Sequence, residues 1–318
     1  MSSNESFQLE IWKGDWGLPS VEVDCLKILA YAKFSNLSLH VKTTNNPFKS
    51  PTGQLPVLRY QNEVYTSVDQ IFDLFQQHKF TPDNDITRLQ SAEIDAFKTM
   101  LDECVRPAIQ YLWWVDVQNL NQVIRPWYCK VLSFPFNFYY PGKYEKQAKF
   151  MVEALHPTKE EKDAEVSIYS KAQKCITLLS TRLGESNYFF GSNPTTFDVL
   201  VFSHLAPILK VPLPNCSLQN HLKACSNLVK FTNGILQKYF EDDYQEYEKS
   251  KSEKEMKTKV QKDDFPNKRR NQILAGIFAG TAMLGYAWSM GIVQVITYLI
   301  RSRKFLRLSK GGSKRSGR

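Results

Sequence analysis

The chain has 318 residues, of which 42% are hydrophobic, enough for a substantial core in one large domain or two small ones. Its net charge of +9 raises the question of nucleic acid, but eight basic residues and no acidic one follow Ile300, which leaves +1 for everything before. The basicity therefore belongs to the last residues, where it suits anionic lipid headgroups or serves only as a solvated stop-transfer flank, and its location argues against a nucleic-acid partner.

Six scattered cysteines without a C-x-x-C pair fit a reducing compartment, and the five histidines do not group with them at metal-ligand spacing. No metal is expected. Residues 1–6 are polar and hold neither a secretory apolar region nor an Arg-rich amphipathic stretch.

Residues 7–12 alternate apolar and polar as a strand does, and Gly14, Gly17 and Pro19 then open a helix over 21–34. Alternation returns at 37–41. Residues 45–54, rich in Pro, Gly and Asn, read as loop, and 57–60 with 63–65 read as a hairpin. Ser67 is placed to cap a helix running to about residue 77. The order β-α-β, loop, β-β-α is thioredoxin-like.

After Pro82 and Asp83 the apolar residues follow helical spacing to about Phe240. A long helix near 92–105 can be kinked by Pro107, and Trp113 and Trp114 follow near its end. Residues 134–142, Phe-Pro-Phe-Asn-Phe-Tyr-Tyr-Pro-Gly, read as an irregular connection. Further helices are expected at 162–183, 196–209 and 218–239. Residues 241–268 are almost entirely Lys, Glu, Asp, Gln and Ser, too polar to offset chain entropy, and read as a linker.

From Ile273 to Ile300 no residue is charged, and basic residues flank the run on both sides. A helix of roughly 20 apolar residues crosses the roughly 30 Å hydrocarbon layer, so this run reads as a transmembrane tail anchor. Gly276 and Gly280 form a G-x-x-x-G that would let a second helix approach closely, although glycine is common in such segments without pairing. The expected division is thus 1–80 thioredoxin-like, 85–240 all-helical, 241–270 charged linker, 271–300 anchor and 301–318 basic tail.

Two local motifs are structural. In Leu55-Pro56-Val57, Pro56 matches the cis-proline that opens the third strand of thioredoxin-like folds. Thr195 and Asp198 form a capping box ahead of an apolar run. Phe134, Phe136, Phe138, Tyr139 and Tyr140 are a candidate partner surface, because large aromatics dominate interface energetics. Trp113, Trp114 and Trp127 are weighed the same way, with core packing the favoured reading.

Together these features resemble the glutathione S-transferase fold, an α+β architecture with an N-terminal thioredoxin-like domain and a C-terminal all-α domain. Such enzymes activate the glutathione thiol from the first loop. Here Lys13–Ser20 offers only Ser20, and Thr66-Ser67 stands where an acidic residue and a Ser hold the glutamyl ammonium. No catalytic residue and no cofactor are assigned. The loop 12–21, the run 134–143, the helix 175–184 and Phe189-Phe190-Gly191 resemble the metaxin family, and Arg269-Arg270-Asn271-Gln272 resembles its tail-anchored type. That resemblance implies residence in the mitochondrial outer membrane, with the body facing the cytosol. It implies a non-catalytic role in the sorting and assembly machinery (SAM complex) that inserts β-barrel precursor proteins. The implied partners are a second metaxin of the metaxin-2 type and the β-barrel assembly core subunit. Two alternatives stay open: an adaptor for mitochondrial trafficking or contact sites, and a glutathione-dependent transferase.

Overall fold

A computed structural model describes residues 6–157, 161–247, 249, 276–283 and 286. The chain forms two units, Met1–Lys251 and Ser252–Arg318.

In the first unit, β1 (Gln8–Trp12) is the inner strand of a four-stranded sheet ordered β2-β1-β3-β4. It pairs in parallel with β2 (His40–Thr44), Leu9 opposite Val41, and antiparallel with β3 (Val57–Tyr60), Leu9 opposite Leu58. β4 (Glu63–Tyr65) closes the hairpin at Gln61 and Asn62, both in the left-handed region that Asn tolerates. β2 begins three residues later than the alternation at 37–41 suggests. Leu37 instead donates its N–H to Ala32 and tucks its side chain into the core to finish the preceding helix.

That helix, α1 (Val23–Phe34), starts at Glu22, whose Oε2 accepts the N–H groups of Asp24 at 2.8 Å and Cys25 at 3.0 Å. Ser67 occupies the N-cap position of α2 (Val68–Gln77), but its hydroxyl makes no capping bond. The Leu55–Pro56 bond is cis, as the thioredoxin-like order requires, and so is Phe134–Pro135.

The long helix expected near 92–105 is α3 (Arg88–Met100), which runs through a π turn at Leu101–Val105 into α4 (Arg106–Trp114). A second π turn, Leu120–Ile124, joins α5 (Val117–Asn119) to α6 (Arg125–Val131). Pro107 and Pro126 each lie just beyond a π turn, where the widened backbone absorbs the missing donor without ending the helix.

Residues 134–142 are not irregular. They enter α7 (Phe136–Leu155), with Pro135 at the N-cap and Pro141 inside. Pro141 cannot donate to the Asn137 carbonyl one turn back, and the Cys129 thiol, 3.4 Å away, donates to it instead. Tyr140 and Pro141 bury themselves here, which fixes the helix by packing where the prolines weaken it.

The remaining helices are α8 (Glu161–Leu183), α9 (Thr196–Lys210), α10 (Ser217–Ala224) and α11 (Ser226–Tyr239). α9 is buried almost all round and packs against α1, so it forms the spine joining sheet and helices. The polar segment from residue 241 does not leave the body at once. Residues 241–247 are helical, Tyr244 and Tyr247 lie against Gly17, and Lys210 sits 4.9 Å over the Tyr244 ring. These two tyrosines, three apart on one helical face, are the apolar exceptions that give this stretch something to bury.

Most of the proposed anchor, 271–300, lies outside the described residues. Within it, 276–283 are helical and expose Ile277, Phe278 and Met283, and a Cβ on Gly276 or Gly280 would meet nothing within 4 Å. Among the described residues, no helix is long and apolar enough to cross a membrane.

Candidate functional site

Sheet and helices meet at a cleft of about 450 Å³ lined by Leu55, Pro56, Ser67, Asp102 and Arg106 among others. A smaller chamber of about 150 Å³ adjoins it across Asp24, Gln54, Leu55 and Arg106, which line both. An ion-pair cluster holds the two halves together here. Arg106 on α4 makes a bidentate pair with Asp24 on α1, and the buried Lys27 ammonium lies 3.2 Å from Asp24 and 3.5 Å from Asp102. Burial works against the charged form of Asp24, yet Arg106 and Lys27 pull its carboxyl below the usual range. None of these three residues stands out in the sequence. Their signal is only a charged residue on the otherwise apolar face of α1.

The first loop is tightly packed. Gly14 sits so tightly that an added Cβ would lie 2.2 Å from the Leu18 carbonyl oxygen. Asp15 accepts the Trp16 N–H at 2.7 Å with one oxygen and the Trp127 indole N–H at 2.9 Å with the other. Trp16 packs on Trp127 with ring centres 5.6 Å apart. Ser20 is fully buried beside Cys25, and its hydroxyl completes no hydrogen bond of good geometry among the described residues, so it faces neither cleft nor solvent. Cys25 is also fully buried, and desolvation first, then the Glu22 charge, pushes its thiol well up, away from the nucleophilic thiolate.

Pro56 lines the larger cleft, and Leu55, just before it, walls both cavities. Thr195 and Asp198 do structural work at the start of α9. The buried Asp198 carboxylate accepts Phe189 N–H at 3.0 Å and both the N–H and hydroxyl of Thr195 at 2.8 Å. Burial raises this carboxyl to about 6 despite those bonds. Trp113, Trp114 and Trp127 are all buried in the core.

The aromatic run on α7 divides. Phe134, Phe138 and Tyr139 are 80%, 73% and 60% exposed, whereas Tyr140 is 1% exposed and belongs to the core, not to a surface. Phe136 is half-buried and stacks at 5.9 Å under the exposed Phe48 of the 45–54 loop. Phe48 is thus a member of this patch that pattern reading missed, because it lies far from the run in the sequence.

Residues 25–145 match the family model described as an outer mitochondrial membrane transport complex protein, and residues 172–235 match that of the glutathione S-transferase C-terminal domain. The chain is 37% identical over 292 residues to Metaxin-1 of Mus musculus, covering 91% of each. It is 40% identical over 244 residues to Metaxin-3 of Danio rerio, covering 75% of this chain and 77% of the relative. Among solved structures, the beta-etherase LigF from Sphingobium sp. strain SYK-6 superposes with a TM-score of 0.50 at 13% identity, covering 74% of this chain and 99% of that one, which shows the fold alone.

Proposed function

The chain belongs to the metaxin family, and from that premise we propose that it is a non-catalytic binding subunit of the mitochondrial outer membrane, acting in the import and assembly of β-barrel precursors. The observation that carries this reading is the exposed patch of Phe48, Phe134, Phe138 and Tyr139, in a body where the first-loop hydroxyl of Ser20 and the α1 thiol of Cys25 are both buried. An enzyme of this fold needs a nucleophile-activating group open to the cleft. A binding subunit needs exposed large aromatics.

The run Ile273–Ile300 serves as a single-pass tail anchor, holding the body on the cytosolic side. Anchoring confines the body beside the bilayer, so weak contacts act at roughly millimolar local concentration. The partners on this reading are a second metaxin without an anchor of its own, the core subunit that inserts the barrels, and the precursors.

Depletion of the protein and complementation with the intact chain test the proposal. Lower steady-state levels of outer-membrane β-barrel proteins, restored on complementation, are expected. Normal barrels with displaced mitochondria would replace assembly by an adaptor role in organelle placement. Conjugation of glutathione to a model electrophile by the purified full chain would overturn the non-catalytic reading.

A further inference from the structure

The cleft and its inner chamber are lined by seven carboxyl groups against three basic side chains, in a body whose overall charge is near zero. All three bases are already engaged: Lys98 with Asp69 at 2.5 Å, Arg106 with Asp24, and Lys27 with Asp24 and Asp102. Glu22, Asp73, Asp83 and Asp95 form no ion pair among the described residues, although Glu22 feels the nearby Arg106 and Lys27 charges, and Asp73 and Asp95 are exposed. Burial raises the Glu22 and Asp83 carboxyls, so the surplus negative charge of the cleft is carried by the exposed Asp73 and Asp95.

The chamber supplies an independent observation. Its walls include Trp12, Trp114, Tyr128 and Tyr144, whose rings pack on one another with centres 5.0–5.9 Å apart. Tyr128 is only 3% exposed and lines this chamber, and its hydroxyl forms no hydrogen bond with a described residue. Aromatic walls, the Tyr128 hydroxyl and the Glu22 carboxyl, with the Arg106 guanidinium of the same chamber already paired to Asp24, form a setting for a cationic side chain.

We propose that this cleft binds a basic, extended polypeptide segment, with one lysine or arginine side chain seated in the aromatic chamber beside Glu22 and Tyr128. The inference deepens the binding reading above by naming the chemistry of the client. Asp73 and Asp95 at the mouth attract the flanking basic residues, and the chamber provides selection.

Glu22 gives the site a pH signature. Burial first, and then the adjacent Asp24, push its carboxyl up to about 7, while Arg106, Lys27 and the Cys25 N–H pull the other way, and Tyr128 and Tyr144 also face it. A seated cation favours the ionised carboxylate, so affinity should rise as pH increases through about 7.

The test uses the full-length chain in detergent micelles and a fluorescein-labelled octapeptide of alternating lysine and valine, read by fluorescence polarisation. The lysine peptide should bind with a salt-sensitive affinity, and its Nε-acetyl-lysine and glutamate counterparts at least about tenfold more weakly. Asp73→Asn with Asp95→Asn should weaken binding about fivefold. Tyr128→Phe should weaken it by a similar factor, and Glu22→Gln should flatten the pH profile. The distant double variant Glu153→Gln with Glu241→Gln should bind as wild type does. Equal binding of the acetylated peptide would overturn the proposal, as would an equal loss in the distant variant or no binding of the lysine peptide. Intact β-barrel assembly in a cleft variant that has lost peptide binding would count against the cleft as a client site and leave the assembly role standing. Normal barrels after depletion, with peptide binding intact, would remove the assembly role and leave the cleft.

Discussion

The segment around the β1–α1 loop and the segment that leads into α7 both carry large aromatics next to proline, yet those of the first are buried and most of those of the second are displayed. Trp12, Trp16 and Leu18 sink into the junction of sheet and helices, where Asp15 ties the loop to Trp127. Phe134, just before α7, and Phe138 and Tyr139 in its first turn keep most of their surface in solvent. Burial of a large aromatic contributes about 2 kcal/mol or more, so leaving three out forgoes stabilisation that the fold could have used. Composition alone does not say which aromatic segment binds. The partner that each segment finds within the chain does.

The largest effect should come from the buried side of this comparison. Gly14→Ala forces a Cβ against the Leu18 and Pro19 carbonyl groups, which belong to backbone and cannot swing away. It should destabilise the body by about 3 kcal/mol in urea unfolding. An unchanged midpoint would mean that the loop is less tightly held than its geometry implies. Asp15→Ala orphans the Trp127 indole N–H and should cost about 1.5 kcal/mol by the same measurement.

Glu22→Gln should act with the opposite sign. The folded state holds the Glu22 proton more tightly than the unfolded chain does, from 4.5 to about 7. Wild-type stability attributable to this group is therefore highest below the lower value, falls as pH rises between the two, and then levels off. The variant keeps a side-chain oxygen for the α1 cap but never ionises. Its advantage over wild type should grow from pH 5 to pH 8, to about 1 kcal/mol after allowance for the partial exposure of the group. A pH-independent difference would show that the carboxyl is better solvated than its surroundings suggest.

The smallest stability effect belongs to the displayed side. Phe134→Ser, Phe138→Ser and Tyr139→Ser together should shift the unfolding free energy by no more than about 0.5 kcal/mol for each exposed site. A loss of several kcal/mol would place these rings in a core and erase the contrast.

Much of the fold was legible because it rests on periodicity and a few stiff residues. Alternation at 7–12 and 57–65, the Leu55–Pro56 bond and the Thr195–Asp198 cap each specify their structure locally. The start of α7 was misread because its proline signals are local, whereas the Cys129 thiol that satisfies Asn137 and the packing that seats Tyr140 come from elsewhere in the chain. The same holds for 241–247, where two tyrosines among charged residues dock on a glycine more than two hundred positions earlier. The cleft was the least legible region. Asp24, Lys27, Asp102 and Arg106 come from separate elements, and only the packing of α1 beside α4 and α9 brings their charges together.

Assembly of a radiolabelled β-barrel precursor into mitochondria carrying the Phe134, Phe138 and Tyr139 triple serine variant, at wild-type abundance and thermal stability, tests the central claim most directly. Slowed assembly is the predicted result. Assembly at the wild-type rate would contradict a binding role for the displayed aromatics.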